Sequence, residues 1–227
     1  MKYYLTYGLI LLGIIILYQI WYRWFFNRLY HTLYTKLDAK KYLKSLDSLE
    51  AKILLTANKR LVLKIDGYAL ANDALALADL FKDLENRKLP AALQINLYQK
   101  EVAFYIETLQ NELANTALQN FKKAADKIKN PKINNIYHQS ELLVAVYYQH
   151  DLEIVPELQK QIKDNADSQM VALLNNYRLA YIYYQNQDLK NCEKYLKAAK
   201  KASTNDLVKK HLKNCLTDFK IITTKQI

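Results

Sequence analysis

Residues Tyr3 to Tyr22 form an almost unbroken apolar run without a charged side chain, and this run restricts the fold more than any other feature of the chain. Twenty residues of α-helix rise about 30 Å, the thickness of a bilayer's hydrocarbon core. Aromatic residues bracket it: Tyr3, Tyr4 and Tyr7 on one side, and Tyr18, Trp21, Tyr22, Trp24, Phe25 and Phe26 on the other. Rings with a polar edge favour the headgroup level, so the bracket reads as an interfacial belt. A cleaved signal peptide fits less well, because only Lys2 precedes the long run and no small-x-small site follows it. Gly8 and Gly13 miss the four-residue spacing of a close helix-dimer face. The expectation is a membrane anchor over residues 1–28, with residues 3–22 in the bilayer.

Positive charge tends to stay on the cytoplasmic side of a span. Arg23, Arg28, Lys36, Lys40 and Lys41 follow this one, against Lys2 before it. The body is therefore expected in the cytoplasm. The extracytoplasmic alternative stays open, since a leading Lys can also hold a short N-terminus inside.

After the span only Gly67 remains of three glycines, and the chain has three prolines in 227 residues. Turn chemistry for bounding strands is almost absent, so the body reads as all-helical and long enough to bury a core. Cys192 and Cys215 are the only cysteines and form no Cys-x-x-Cys pair. A reducing compartment fits them, with one disulfide left open. No Pro-, Ser- or Gly-rich linker follows the span. Leu29, Leu33, Leu37, Leu43 and Leu46 keep helical spacing, so the anchor is expected to run directly into the domain.

The clearest local pattern lies at 179–199. Leu179, Ala180 and Tyr183 mark one helix, Asp188 is a candidate N-cap after a polar turn, and Cys192, Leu196 and Ala199 share one face of the next. Small residues at 180, 192 and 199 let two antiparallel helices approach closely. This pattern resembles the tetratricopeptide repeat, a helix-turn-helix unit of about 34 residues. Cys192 stands where that family usually has Ala, and Thr204 stands near the place of its terminal Pro. Weaker echoes come earlier: Ala117, Phe121 and Ala124, an even step from Phe121 to Leu158 to Tyr195, and Leu143 to Asp151, which matches the later turn with one residue deleted. Asp38-Ala39 and Asn72-Asp73-Ala74 read as second-helix starts, and Pro90, Pro131 and Pro156 as helix beginnings. The resemblance implies a solenoid of about four to five helix pairs over residues 29–220. The helical spacing of Leu207, Leu212 and Cys215 supplies a capping helix, and residues 221–227 are left as a tail.

No glycine-rich phosphate loop, His-Glu-x-x-His or Gly-x-Ser-x-Gly occurs. His31, His138, His150 and His211 are scattered without metal-ligand spacing. No catalytic activity, cofactor or metal is expected. The resemblance implies instead a peptide groove lined by first helices, with Tyr177, Tyr181 and Tyr184 from the last unit and His138, Glu141 and Tyr148 from the unit before. Tyr residues suit such a surface, but they also pack between repeats. Lys194, Lys197 and Lys201, with Lys209 and Lys213, form a basic stripe in a block of nine Lys and three acids over 191–227. It reads as a solvated face or as a contact for anionic lipid or an acidic partner. Nucleic acid is not expected, because no recognition fold or Arg-rich stretch accompanies the Lys. The expected function is a membrane-anchored adaptor that docks a protein or peptide. A peptide or ligand sensor, and an extracytoplasmic chaperone-like helper of export, are the alternatives.

Overall fold

The computed structural model describes residues 2–128 and 130–224, with side chains from Tyr7 onward except at Gly8 and Leu9. Among them the chain is all-α, with no strand. Twelve α-helices follow in order: α1 (Lys2–Tyr30), α2 (Ala39–Leu46), α3 (Leu49–Leu54), α4 (Ala57–Leu70), α5 (Ala74–Glu85), α6 (Ala91–Glu107), α7 (Asn111–Ala125), α8 (Pro131–Val144), α9 (Val155–Asp164), α10 (Gln169–Gln185), α11 (Leu189–Ala202) and α12 (Asp206–Thr217). Side-chain oxygens cap most of their N-termini, among them Asp38, Ser48, Thr56, Asp73, Asn130, Ser168, Asp188 and Asn205. Pro131 and Pro156 lie in first turns, where no backbone N–H is needed.

A backbone signature recurs along the chain. Five non-glycine residues take left-handed φ: Leu37 at 52°, Asn72 at 54°, Leu109 at 58°, His150 at 54° and Gln187 at 62°. Each ends one helix, and the next residue opens another. At Asp73, Gln110 and Asp188 the backbone N–H reaches five residues back, to the carbonyls of Tyr68, Tyr105 and Tyr183, at 3.0, 2.7 and 2.9 Å. This is the long hydrogen bond of a left-handed helix cap, a place usually given to glycine. Asp38 and Asp151 instead reach six back, to Thr32 and Ala145, at 3.1 and 3.0 Å. There a π-helical turn, His31–Thr35 or Ala145–Gln149, adds one residue before the cap. In four of the five turns the Asp side chain then accepts from the next helix's backbone, as Asp188 does from Asn191 at 3.0 Å.

The turns lie 35, 37, 41 and 37 residues apart, and they correct the register drawn from sequence. Phe121 falls 12 residues past its turn, whereas Leu158 and Tyr195 fall eight past theirs, so the even step joins unequal places. Ala114 and Leu118 occupy the places that Cys192 and Leu196 hold in the last pair. In the fourth pair a residue is inserted, as the π turn, where the sequence comparison has one deleted.

The chain divides into two compact units, residues 1–93 and 94–227, the boundary falling in the first turn of α6. The first unit has a core of Phe25, Leu29, Leu33, Tyr42, Leu46, Ala51, Leu54 and Leu55. The 28/29 division expected between anchor and domain therefore runs through the middle of one core. A Cβ on Gly67 would sit 2.6 Å from Leu43 Cδ2 and 2.9 Å from Tyr42 Cδ1, so α4 crosses α2 at a distance only glycine allows. In the second unit α10 packs along α11, with Leu179, Ala180, Cys192, Leu196 and Ala199 all at 0% exposure. Tyr183 and Tyr195 stack across this contact at 5.5 Å. Leu212 and Cys215 bury the inner face of α12, and a 3-10 turn, Phe219–Thr223, follows it. Ile222, assigned to the tail from sequence, is 0% exposed and its carbonyl accepts the Tyr177 hydroxyl at 3.1 Å.

Candidate functional site

One stretch among the described residues, Ile10 to Thr35, is long and apolar enough to cross a membrane. Its two halves have different surroundings. Ile10, Leu11, Leu12, Ile14, Ile15, Ile16, Leu17 and Ile20 are all 45–67% exposed. Eight half-exposed aliphatic side chains represent on the order of 10 kcal/mol of unrealised apolar burial. From Tyr22 onward one face turns into protein: Tyr22, Phe25, Phe26, Leu29 and Leu33 follow the three-and-four spacing of a single helical stripe against the first unit. The side chains at 25, 29 and 33 are core residues, so only the N-terminal part of α1 is left uncovered.

A collar of polar contacts fastens α1 at the changeover. The Tyr18 hydroxyl donates to the Leu54 carbonyl at 3.4 Å. Trp21 Nε1 donates to Glu50 at 2.9 Å, and Arg28 forms an ion pair with the same carboxylate. The Arg28 guanidinium also lies over the Trp24 ring at 4.6 Å. Lys59 donates to the Tyr22 hydroxyl at 2.6 Å and sits 5.1 Å from the Phe26 ring centre. Sequence reasoning missed Glu50 as the centre of this collar. Its partners lie 22 and 29 residues away, and nothing in its own neighbourhood points to them. Beside the collar Phe26, Leu29, Tyr30, Leu33, Tyr34, Tyr42, Leu63 and Asp66 line a cavity of about 200 Å³, below the usual range for a ligand site.

The residues expected to line a groove are brought into one unit but not onto one open surface. Tyr177 and Tyr181 are 1% and 5% exposed and belong to the core. Burial raises both phenols above their ordinary pKa. Tyr148 and Tyr184 are half-buried at the edge of that core. His138 and Glu141 instead start a polar ladder. His138 Nε2 lies 2.7 Å from Glu157 and its Nδ1 3.3 Å from Glu141. Gln161 then bonds Glu157 at 3.1 Å, buried Asn175 bonds Gln161 at 3.0 Å, and Arg178 bonds Asn175 at 3.0 Å. The ladder joins α8, α9 and α10, and its carboxylates, Glu157 first, hold the His138 pKa above its ordinary value. Burial pushes the neighbouring Tyr147 phenol up to about 12, against the opposing pull of Arg178.

The basic stripe lies on the outer faces of α11 and α12. Lys194, Lys197, Lys201 and Lys213 are exposed and Lys209 is half-exposed. Lys197 pairs with Glu193 at 2.6 Å and Lys209 with Asp206 at 3.7 Å, while Lys194 lies over the Tyr195 ring at 5.0 Å. Exposed pairs of this kind contribute little stability. Cys192 and Cys215 are free and buried, with burial pushing the thiols up to about 12 and about 11. No group of three or more metal-ligating side chains gathers among the described residues. The chain matches no protein-family model, no curated protein and no solved structure.

Proposed function

We propose that this chain is a single-pass membrane protein in which the N-terminal part of α1 crosses the bilayer and the helical body docks a protein or peptide partner at its surface. The observation that carries the anchor is the exposed aliphatic sleeve from Ile10 to Ile20, continuous with a helix face buried in the first unit. The sleeve fits lipid, and the collar of Tyr18, Trp21, Tyr22 and Arg28 fits the interface beside it. Lys and Arg concentrated after the span favour a cytoplasmic body.

Tetratricopeptide-like stacking of the helix pairs is the proposed arrangement. It is supported by five left-handed turns at near-constant spacing and by the small residues between α10 and α11. Arrays of this kind bind peptides along surfaces formed by successive units. With Tyr177 and Tyr181 in the core, the docking surface is proposed to use the accessible edges of Tyr148 and Tyr184, with Glu141 at the exposed end of the polar ladder. The test is site-specific photo-crosslinking in intact cells, with the probe at Tyr148, Tyr184 or, as control, Lys160. One discrete adduct from the first two positions and none from the third supports docking there. Equal, diffuse adducts from all three contradict it. Sidedness is read separately by labelling an Asn186→Cys variant in a background with Cys192→Ala and Cys215→Ala. A cytoplasmic body leaves that thiol unreactive to impermeant reagents until cells are opened.

A further inference from the structure

The short helix α3 sits against α1 at the level where the sleeve ends. Leu54, its last residue, accepts from Tyr18, and Glu50, one turn earlier, accepts from Trp21 and Arg28. The two helices thus run in opposite directions, and the C-terminal end of α3 points toward the apolar half of α1. Tyr18 is itself within the 20-residue run. It precedes Trp21 by about 4.5 Å along the axis at 1.5 Å per residue, and headgroup regions are about 5–7 Å deep. A hydrocarbon core that ends near Leu17 therefore brings the α3–α4 corner into the headgroup layer.

The residues at that corner suit such a place. Leu49 is 75% exposed and Ile53 56% exposed, one helical turn apart on a face that no other part of the first unit covers. Lys52 is exposed between them. The one carboxylate of α3, Glu50, is held by an indole N–H and a guanidinium, so it does not face the anionic surface unpaired. We propose that α3 is an interfacial membrane element: Ile53 enters the headgroup–acyl boundary of the leaflet that α1 leaves, and Leu49, about 6 Å farther out along α3, lies with Lys52 among the headgroups. The first unit then stands in a fixed orientation on the membrane, held by α1 and by a second contact beside it. The occupant is lipid and not a protein, because the contacts of Leu54 and Glu50 with Tyr18 and Trp21 fix this face at the level where the sleeve of α1 ends. Elements of this type combine apolar burial of a few residues with attraction of Lys to anionic lipid. The proposal rests on the reading of α1 as a membrane span.

The test uses the full chain reconstituted into anionic vesicles, with Cys192→Ala and Cys215→Ala and a single polarity-sensitive fluorophore on one introduced Cys. Three variants are compared: Leu12→Cys in the sleeve, about 9 Å from the level of Tyr18, Ile53→Cys on α3, and Tyr30→Cys, exposed and about 18 Å beyond Tyr18 along α1. Lipids carrying a quencher at a shallow acyl position should quench the probe at 53 several-fold more than at 30. Quenchers deep in the chains should act on 12 and much less on 53. If 12 is quenched while 53 behaves like 30, the α3 proposal is overturned and the span stands. If 12 also escapes quenching, the span reading itself fails, and the α3 proposal with it.

Discussion

Replacing Gln187 with glycine should stabilise this protein, although the substitution removes a side chain and leaves every other contact in place. Gln187 holds φ at 62° and is exposed. A left-handed conformation costs an L-residue about 1–2 kcal/mol, and glycine pays almost none of it. Glycine's greater freedom in the unfolded chain takes back about 0.5–1 kcal/mol. The net gain is about 0.5–1 kcal/mol, which for a domain of this size raises Tm by about 1–4 °C. The control is Lys194→Gly, seven residues on, in the interior of α11 and also exposed. There glycine should cost about 1 kcal/mol as an ordinary helix interior substitution. Thermal unfolding of both variants in the same detergent, followed by circular dichroism, separates the two cases. If Gln187→Gly lowers Tm as Lys194→Gly does, the left-handed turn is not the geometry that joins α10 to α11.

Truncation to a chain beginning at Asp38 removes Phe25, Leu29 and Leu33 from the first core and should destabilise that unit by on the order of 5–10 kcal/mol. A chain beginning at Trp21 should keep the unit folded, as read by protease resistance of residues 39–93. For His138, carboxylate partners raise the folded-state pKa above the unfolded value, so its contribution to stability is complete below about pH 6.5 and is lost as pH rises through the folded value. His138→Gln should flatten the fall in Tm above pH 6.5 while leaving the slope below pH 5, where carboxylates titrate, almost unchanged. A fall as steep as in the unsubstituted protein would show that other groups cause it. Ala199→Leu should overpack the α10–α11 contact by about 1–3 kcal/mol, whereas Lys197→Leu, on the exposed face, should change stability by less than about 0.5 kcal/mol; equal losses of Tm would contradict the placement of the two faces.

What could be read from the sequence depended on whether a residue's role was set by its neighbours or by distant chain. The α10–α11 pair was legible because small and large residues alternate at helical spacing, and Asp188 is a strong cap. The caps at Asp38 and Asp73 were legible for the same reason. The turn at Leu109-Gln110 was hidden: leucine carries no preference for left-handed φ, and Gln110 makes no side-chain cap bond. The π turn at Ala145–Gln149 shifted the register of its unit by one residue, and no sequence signal marks such an insertion. The register of the resemblance places Tyr177 and Tyr181 in a groove, yet Tyr177 meets His211 of α12 and the turn at Ile222, 34 and 45 residues later, and Tyr181 packs on Tyr147 and His150. The apolar run was plain from the first line of sequence. That its last turns belong to a protein core follows only from Tyr42, Leu46 and Leu54 packing on them.

The central claim is that one rigid helix is at once membrane span and part of the first unit's core. It is tested most directly by scanning single cysteines through positions 10–35 of the membrane-embedded full chain, with Cys192 and Cys215 replaced by Ala, and measuring reaction with a water-soluble thiol reagent after the cells are opened. The account predicts protection at every position from 10 to 17. Beyond Tyr22 protection should become periodic, strong at 22, 25, 29 and 33 and weak at 23, 24, 27 and 30, as the burial pattern requires. Uniform reactivity from 23 to 35 would mean that a loose tether joins span and body, and uniform reactivity from 10 onward would mean that α1 does not enter the bilayer.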